Sequence, residues 1–246
     1  MTNERRSDVV VSHRAIREYL SSGRRSGTLY IAGEGKRFSS IIDLARRSGV
    51  AVEQVSRRRL QELGGDRARE IVLQSAIEAA VAPSLPALLE GLTAPSALVL
   101  LLDHVTDPHN FGAILRSADQ FGVDAVIVPA HGSSSVSAVV MESSAGTAPH
   151  VTIVTVPNLS VAIRDLKKHD FWVYAAEMGG ESATDTRLTG RVALVLGSEG
   201  KGVSRLVLEN SDVSVGIPTR GHADSLNVSV ACGILLYEVR RQQKWL

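Results

Sequence analysis

The sequence is poor in features that mark several common classes of protein. Cys232 is the single cysteine among 246 residues, so no disulfide can form within the chain, and we expect a cytoplasmic location. Because Cys232 lies in an apolar stretch, we interpret it as a small buried hydrophobe. No apolar run reaches the ~18 residues that a membrane-spanning helix needs. Residues 1–8 lack the apolar core of a secretory signal.

The net charge of +1 hides an uneven distribution. Residues 1–70 contain 15 Lys and Arg against 9 Asp and Glu, and the other 176 residues contain 12 against 17. Arginine, whose planar guanidinium matches phosphate, accounts for nearly all of the excess. Its clusters lie at 5–6, 24–25, 46–47 and 57–59. One such pair is commonly only a solvated surface, but four clusters favour a nucleic-acid surface. Because aromatic residues are scarce, contacts to phosphate and shape are favoured over base stacking.

Alternating strand and helix patterns divide the chain into two α/β domains. The first occupies residues 1–80, and three prolines within thirteen residues indicate a linker over 81–95. The second domain, residues 96–246, has near-continuous apolar runs that predict a parallel sheet of about six strands, covered on both faces. We expect these strands at 97–102, 125–128, 151–156, 171–176, 192–196 and 213–218. Residues 178–190 are predicted to form a polar loop.

A glycine-rich loop follows the predicted strand at 192–196. Its order, Gly197, Gly200 and Gly202, is not the G-x-G-x-x-G of dinucleotide-binding folds. It is not a P-loop either, because Gly202 follows Lys201 where Ser or Thr would stand. A tight turn alone would explain these glycines. Their place at the carboxyl end of a strand, where open α/β sheets bind ligands, also fits a small-molecule site.

A second polar loop, residues 103–112, follows the first strand of this domain. Asn110 either caps the next helix or serves the site, and Arg116 follows on the polar side of that helix. His104 and His109 have neither the spacing nor the partners of a metal site.

Ser225 and Asn227 open the last helix, which is apolar nearly all round and is therefore predicted to be buried. The Asn227 amide must then be satisfied, either as a helix cap or by holding a neighbouring loop.

These segments together resemble the three motifs of the TrmH/SpoU family of RNA ribose 2′-O-methyltransferases, in the SPOUT superfamily. The matching blocks are DPHNFGAILRSA at 107–118, LGSEGKG at 196–202, and IP at 217–218 with SLNVSVA at 225–231. The resemblance runs from residue 97 to the C terminus. The basic first domain is similar to the small, ribosomal protein L30e-like substrate domain of the large-subunit rRNA branch.

The resemblance implies a fold, an assembly and a methyl donor. The C-terminal domain would be a parallel α/β sheet containing a trefoil knot, and the protein would be a homodimer that acts on RNA, with 23S rRNA expected. S-adenosylmethionine would bind in the knot, and no metal is needed. The implied cofactor-binding residues are Leu196, Gly197, Ile217, Ser225 and Leu226. The loop around Met178 and Gly179 would wall the same pocket, and Gly197 would leave room for the adenosine.

The resemblance also implies roles in catalysis for Arg116, Asn110, Glu199 and Asn227. A ribose 2′-hydroxyl is a poor nucleophile, so transfer needs in-line positioning and help with the departing proton. Because guanidinium stays protonated, we favour Arg116 as a clamp on the neighbouring phosphate that stabilises developing oxyanion charge. A transiently deprotonated Arg116, or Glu199, remains an alternative base.

Two segments depart from the family pattern and leave the target nucleotide open. TRGHAD at 219–224 is bulkier and more charged than in many relatives, and DRAREI at 66–71 replaces a His-Gln-Gly-like segment. The sequence favours methylation of a guanosine ribose in 23S rRNA. A tRNA ribose methyltransferase, a non-catalytic RNA-binding or ribosome-assembly factor, and a nucleotide-dependent oxidoreductase are the alternatives.

Overall fold

The computed structural model describes residues 7–21, 27–33, 36–65, 68, 70–76, 83–134, 137–222 and 225–245. The chain divides into two compact units, one of residues 1–80 with 136–150 and one of residues 81–135 with 151–246. This division differs from the sequence prediction at residues 136–150, which pack with the first unit although they lie within the predicted second domain. No helix in the described ranges is both long and apolar enough to cross a membrane.

The first unit contains a four-stranded mixed sheet. Its elements are β1 (Ser7–Val10), α1 (His13–Ser21), β2 (Thr28–Ala32), α2 (Ser39–Arg47), β3 (Ala51–Val55), α3 (Arg57–Gly64), β4 (Ile71–Ala76) and the later α6 (Ala138–Ser143). The strand order is β1-β4-β2-β3, and only β2 and β3 run parallel. Leu29, Leu60 and Leu73 are fully buried in this unit. The alternating pattern predicted an α/β domain here, but not β1, whose four residues are too few to show a period.

The second unit contains the predicted parallel sheet of six strands. Its elements are α4 (Leu85–Gly91), β5 (Ala97–Asp103), α5 (Pro108–Gln120), β6 (Ala125–Pro129), β7 (Ile153–Val156), α7 (Leu159–Lys168), β8 (Trp172–Ser182), β9 (Arg191–Gly197), α8 (Arg205–Asn210), β10 (Val213–Gly216) and α9 (Val228–Gln242). The strand order is β10-β8-β9-β5-β6-β7, and every pair is parallel.

Helices cover both faces of this sheet. Alternate residues of β5, such as Val99 and Leu101, join one core with α4, α7 and α8. On the other face α9 packs against β9 and α5. Because all seven residues of β5 are buried, its sequence is apolar without alternation.

Two predictions about this unit need correction, and one of its elements was not predicted. The supposed linker contains α4, because Ser84 caps the helix and Pro86 stands in its first turn, where a missing N–H costs nothing. The supposed loop at 178–190 begins as strand, because β8 continues to Ser182 by pairing its backbone with β10. The short α8 was not predicted at all.

The last helix is only partly buried, so the prediction that it is buried was wrong in part. Cys232, Leu235 and Leu236 face the core, and burial raises the pKa of the Cys232 thiol, which therefore stays protonated. Val230 and Ile234 are 50% and 42% exposed, and Tyr237 is exposed beside them. An apolar stripe therefore remains on the surface of α9.

Candidate active site at the carboxyl edge of the parallel sheet

A cavity of about 680 Å³ opens where β8, β9 and β10 end. The loops after β9 and β10 line it together with the start of α9. The residues implied by the family resemblance that line it are Leu196, Gly197, Glu199, Ile217, Ser225, Leu226 and Asn227. This volume lies within the ~300–1,000 Å³ typical of small-molecule pockets.

The glycine-rich loop folds back on itself immediately after β9. Ser198 and Gly202 exchange two backbone hydrogen bonds, of 3.1 and 2.9 Å. A Cβ on Gly197 would lie only 2.0 Å from the carbonyl carbon of Gly202. The need for glycine at 197 therefore arises first within the loop, rather than only from space for a ligand. Gly200 and Gly202 have φ angles of 79° and 66°, which favour glycine.

Asn110, Glu199 and Asn227 form one hydrogen-bonded triangle. Asn110 Nδ2 donates to Glu199 Oε1 at 2.8 Å, and Asn227 Nδ2 donates to the same oxygen at 2.7 Å. Asn227 Nδ2 also donates to Asn110 Oδ1 at 3.0 Å. Each of the three residues comes from a different sequence block. Glu199 and Asn227 lie 89 and 117 positions after Asn110. The fold thus links all three blocks through side chains at the edge of the cavity.

Helix capping explains how two of these side chains are aimed. Asp107, not Asn110, caps α5 by accepting the backbone N–H groups of His109 and Asn110, so the capping role suggested for Asn110 was wrong. Asn227 does cap α9, and its Oδ1 accepts the backbone N–H of Ser229 at 2.9 Å. Asn227 therefore satisfies both predictions made for it, because its oxygen caps the helix while its nitrogen holds the glycine loop.

A buried carboxylate anchors the far end of the glycine loop. Asp103, at the end of β5, is 2% exposed, and its Oδ2 accepts the backbone N–H of Ser204 at 2.7 Å. Its other oxygen lies 2.6 Å from Nδ1 of His104. Neither His104 nor His109 belongs to a metal cluster. No group of three His, Cys, Asp or Glu side chains suited to a metal exists among the described residues.

Arg116 stands apart from the cavity lining. It is exposed on α5, two turns beyond Asn110, and the cavity is lined without it. The structure thus brings together Asn110, Glu199 and Asn227 but leaves Arg116 on the surface.

Two charged lining residues were not selected from the sequence. Glu177 and Lys201 both line the cavity. Lys201 was noted only as a mismatch to the P-loop. Glu177 directly follows an apolar strand and lies two residues before the Gly179-Gly180 pair. Its position at a strand end is the sequence signal that could have indicated a site residue.

The second unit is therefore an α/β domain with a cavity at the carboxyl ends of its parallel strands, the edge at which open α/β sheets bind ligands. More specifically, the model of the SpoU rRNA Methylase family matches residues 97–237, and the chain belongs to this family.

Individual relatives agree with this assignment. A 23S rRNA (guanosine-2′-O-)-methyltransferase RlmB from Coxiella burnetii is 42% identical over 213 residues, which are 86% of this chain and 85% of that protein. A protein of Borreliella burgdorferi named "Uncharacterized tRNA/rRNA methyltransferase" is 45% identical over 148 residues, 60% of this chain and 65% of its own length. Among solved structures, the SpoU methyltransferase AviRb from Streptomyces viridochromogenes, in complex with AdoMet, is similar with a TM-score of 0.76 and 26% identity, covering 96% of this chain and 90% of that one.

Proposed function

We propose that this protein methylates the ribose 2′-hydroxyl of a guanosine in 23S rRNA, with S-adenosylmethionine as the methyl donor. The observation that carries this proposal is the triangle of Asn110, Glu199 and Asn227 at the mouth of the cavity. It joins the three family motifs into one site, in a chain with RlmB relatives over most of its length.

The cavity suits the methyl donor in size and chemistry. Apolar side chains, among them Leu196, Ile217 and Leu226, offer contact to a purine, and charged side chains lie at the same cavity for polar groups. We propose that the five residues predicted from the sequence hold the donor: Leu196, Gly197, Ile217, Ser225 and Leu226. When bound, S-adenosylmethionine supplies an electrophilic methyl group on a sulfonium.

The triangle positions the walls of this site. Because Glu199 Oε1 accepts two amide donors, the carboxylate ties the glycine loop to the first turns of both α5 and α9. We assign positioning roles to Asn110, Glu199 and Asn227 in the first place. The alternative is that Glu199 acts as the base for the ribose hydroxyl. We rank it second because Glu199 Oε1 already accepts hydrogen bonds from both asparagines.

Arg116 serves the RNA end of the reaction in this proposal. Its exposed guanidinium is available to bind the phosphate next to the target ribose and to stabilise charge that develops on the 2′-oxygen. Base action by Arg116 would require a deprotonated guanidinium, which proteins rarely stabilise.

The proposed assembly is a homodimer with a knotted C-terminal segment. The exposed stripe of Val230, Ile234 and Tyr237 supports a protein interface on α9, because a helix face of this kind is normally covered. The trefoil knot is proposed from the resemblance to the TrmH/SpoU family.

The first unit is the proposed RNA-binding domain, of the ribosomal protein L30e-like type. Arg46, Arg47 and Arg57 are exposed, whereas Arg58 and Arg59 pair with Glu62 on the surface. The clusters at 5–6 and 24–25, and residues 66, 67 and 69 of the DRAREI segment, lie outside the described residues. An enzyme with this substrate would work in the cytoplasm, where ribosomal RNA is modified.

The experiment that tests the proposed function is a map of ribose methylation in total RNA from cells with and without the gene. We expect one 2′-O-methylguanosine of 23S rRNA to disappear on deletion and to return with the wild-type gene. An unchanged 23S rRNA, or loss of a methyl group from tRNA instead, would contradict the proposal.

A further inference from the structure

One carboxylate at the cavity has no part in the triangle. Among the described lining residues, the charged side chains are Glu177, Glu199 and Lys201. Glu199 is held by the two asparagines. Glu177 comes instead from β8, the strand beside β9, and therefore reaches the cavity from a different strand end.

The backbone around Glu177 leaves the regular ladder at the cavity. Ser214 of β10 pairs with Ala175, but the next residue of β10 pairs with Glu181, so residues 176–180 of β8 have no opposite residue. The strands come unusually close here, because a Cβ on Gly180 would lie 2.7 Å from the carbonyl carbon of Ser214. Glycine at 180 therefore permits this close approach of the two strands beside the register shift, and Glu177, one of the unmatched residues, lines the cavity.

The Glu177 side chain is held in place at one oxygen only. Ser214 Oγ donates to Glu177 Oε2 at 2.8 Å. The other oxygen, Oε1, has no hydrogen-bond partner within the described part of the chain. A carboxylate with one oxygen anchored and one open is a pre-oriented acceptor for donors on a ligand.

The charges on the cavity wall indicate which end of the ligand meets Glu177. Lys201, on the glycine loop, suits the carboxylate of the amino-acid end of S-adenosylmethionine. The donors on the adenosine half are the adenine N6 amino group and the two ribose hydroxyls, and it is the ribose hydroxyls for which an acidic side chain at a strand end is a common acceptor. We infer that Glu177 binds the ribose hydroxyls of the methyl donor and that Ser214 positions it; this inference rests on the proposed function.

Calorimetric titration with two ligands tests this assignment directly. S-adenosylmethionine and 5′-methylthioadenosine share the adenine and the ribose, but only the first has the amino-acid end. Glu177→Gln should raise the Kd of both ligands by a similar factor of about 10, because a charged acceptor is replaced by a neutral one. Ser214→Ala should raise both by a smaller factor. Glu181→Gln, an exposed glutamate of the same strand outside the cavity, is the matched control and should change neither.

The outcomes separate this inference from the proposed function. A loss confined to S-adenosylmethionine would place Glu177 at the α-ammonium instead and overturn the inference, as would unchanged affinity for both ligands. If the wild-type protein binds neither ligand, the proposed function itself fails. Thermal melting of each variant verifies that folding is intact, which is expected because Glu177 and Glu181 are both exposed.

Discussion

The sheets of the two units differ in how much of their strands they expose. In the second unit every residue of the inner strand β5 is buried, whereas the inner strand β2 of the first unit buries only alternate residues and its edge strand β3 buries none. A sheet that is covered on both faces offers its chemistry only where strands end, so the second unit carries a cavity at that edge. An open edge strand flanked by exposed arginines offers a surface instead. The comparison predicts that substitutions in the second unit act on ligand binding and transfer, and those in the first unit on RNA affinity.

The largest effect is expected from Arg116→Ala. We expect the rate of methyl transfer to RNA to fall about 10²–10³-fold, because the proposal assigns to Arg116 the stabilisation of the developing oxyanion. The affinity for S-adenosylmethionine should change little, since Arg116 does not line the cavity. Transfer of a labelled methyl group measures the rate, with Arg164→Ala, an exposed arginine on α7, as the control. Wild-type turnover in the Arg116 variant would show that Arg116 has no role in methyl transfer.

Gly197→Ala should weaken binding of S-adenosylmethionine about 100-fold. The added Cβ would overlap the backbone of Gly202 and Val203, so the loop could not close next to β9. We also expect about 1–3 kcal/mol of destabilisation from this overpacking. Calorimetry and thermal melting measure the two effects. Gly221→Ala is the matched control, because a Cβ there meets no atom within 4 Å. Equal behaviour of the two variants would contradict the structure of the loop.

Ile234→Glu should weaken self-association by at least about tenfold. A charge placed in the apolar stripe of α9 would have to be buried in the proposed dimer without a partner. Light scattering across a dilution series measures the assembly. Val161→Glu alters an equally exposed apolar residue on α7 and should have no effect. A protein that is monomeric before any substitution would exclude the homodimer.

The smallest effect is expected in the first unit. Removal of Arg46, Arg47 and Arg57 together should lower RNA affinity about tenfold at ~0.1 M salt and reduce the salt dependence of binding. Arg58→Ala with Arg59→Ala should do less, because Glu62 already offsets those charges. Filter binding at several salt concentrations compares the two variants. If cofactor binding fell while RNA binding held, the division of roles between the units would be wrong.

Most strands and helices could be predicted from the sequence because burial determines their residue pattern. A strand buried on both faces must be apolar throughout, so β5 and β9 could be recognised from their sequences alone. The end of β8 could not, because its polar residues are kept in the sheet by backbone pairing with β10. In α4, the proline taken as a helix breaker stands in the first turn, where it is tolerated.

The three sequence blocks that form the candidate site could be predicted from the sequence. The arrangement of their side chains could not. The resemblance identified Asn110, Glu199 and Asn227, yet their triangle depends on contacts between distant parts of the chain. Glu177 stood at a predicted strand end, but its place at the cavity depends on the register of β8 against β10. Capping was ambiguous at Asn110 because Asp107, three residues earlier, competes for the same role.

Titration of S-adenosylmethionine into the purified protein is the most direct test of the central claim, that the loops after β9 and β10 form a methyl-donor site. We expect saturable one-site binding with a Kd well below ~1 mM, which corresponds to about −4 kcal/mol. We also expect Gly197→Ala to abolish most of it and Arg116→Ala to leave it intact. No binding by the wild-type protein at millimolar donor would contradict the account.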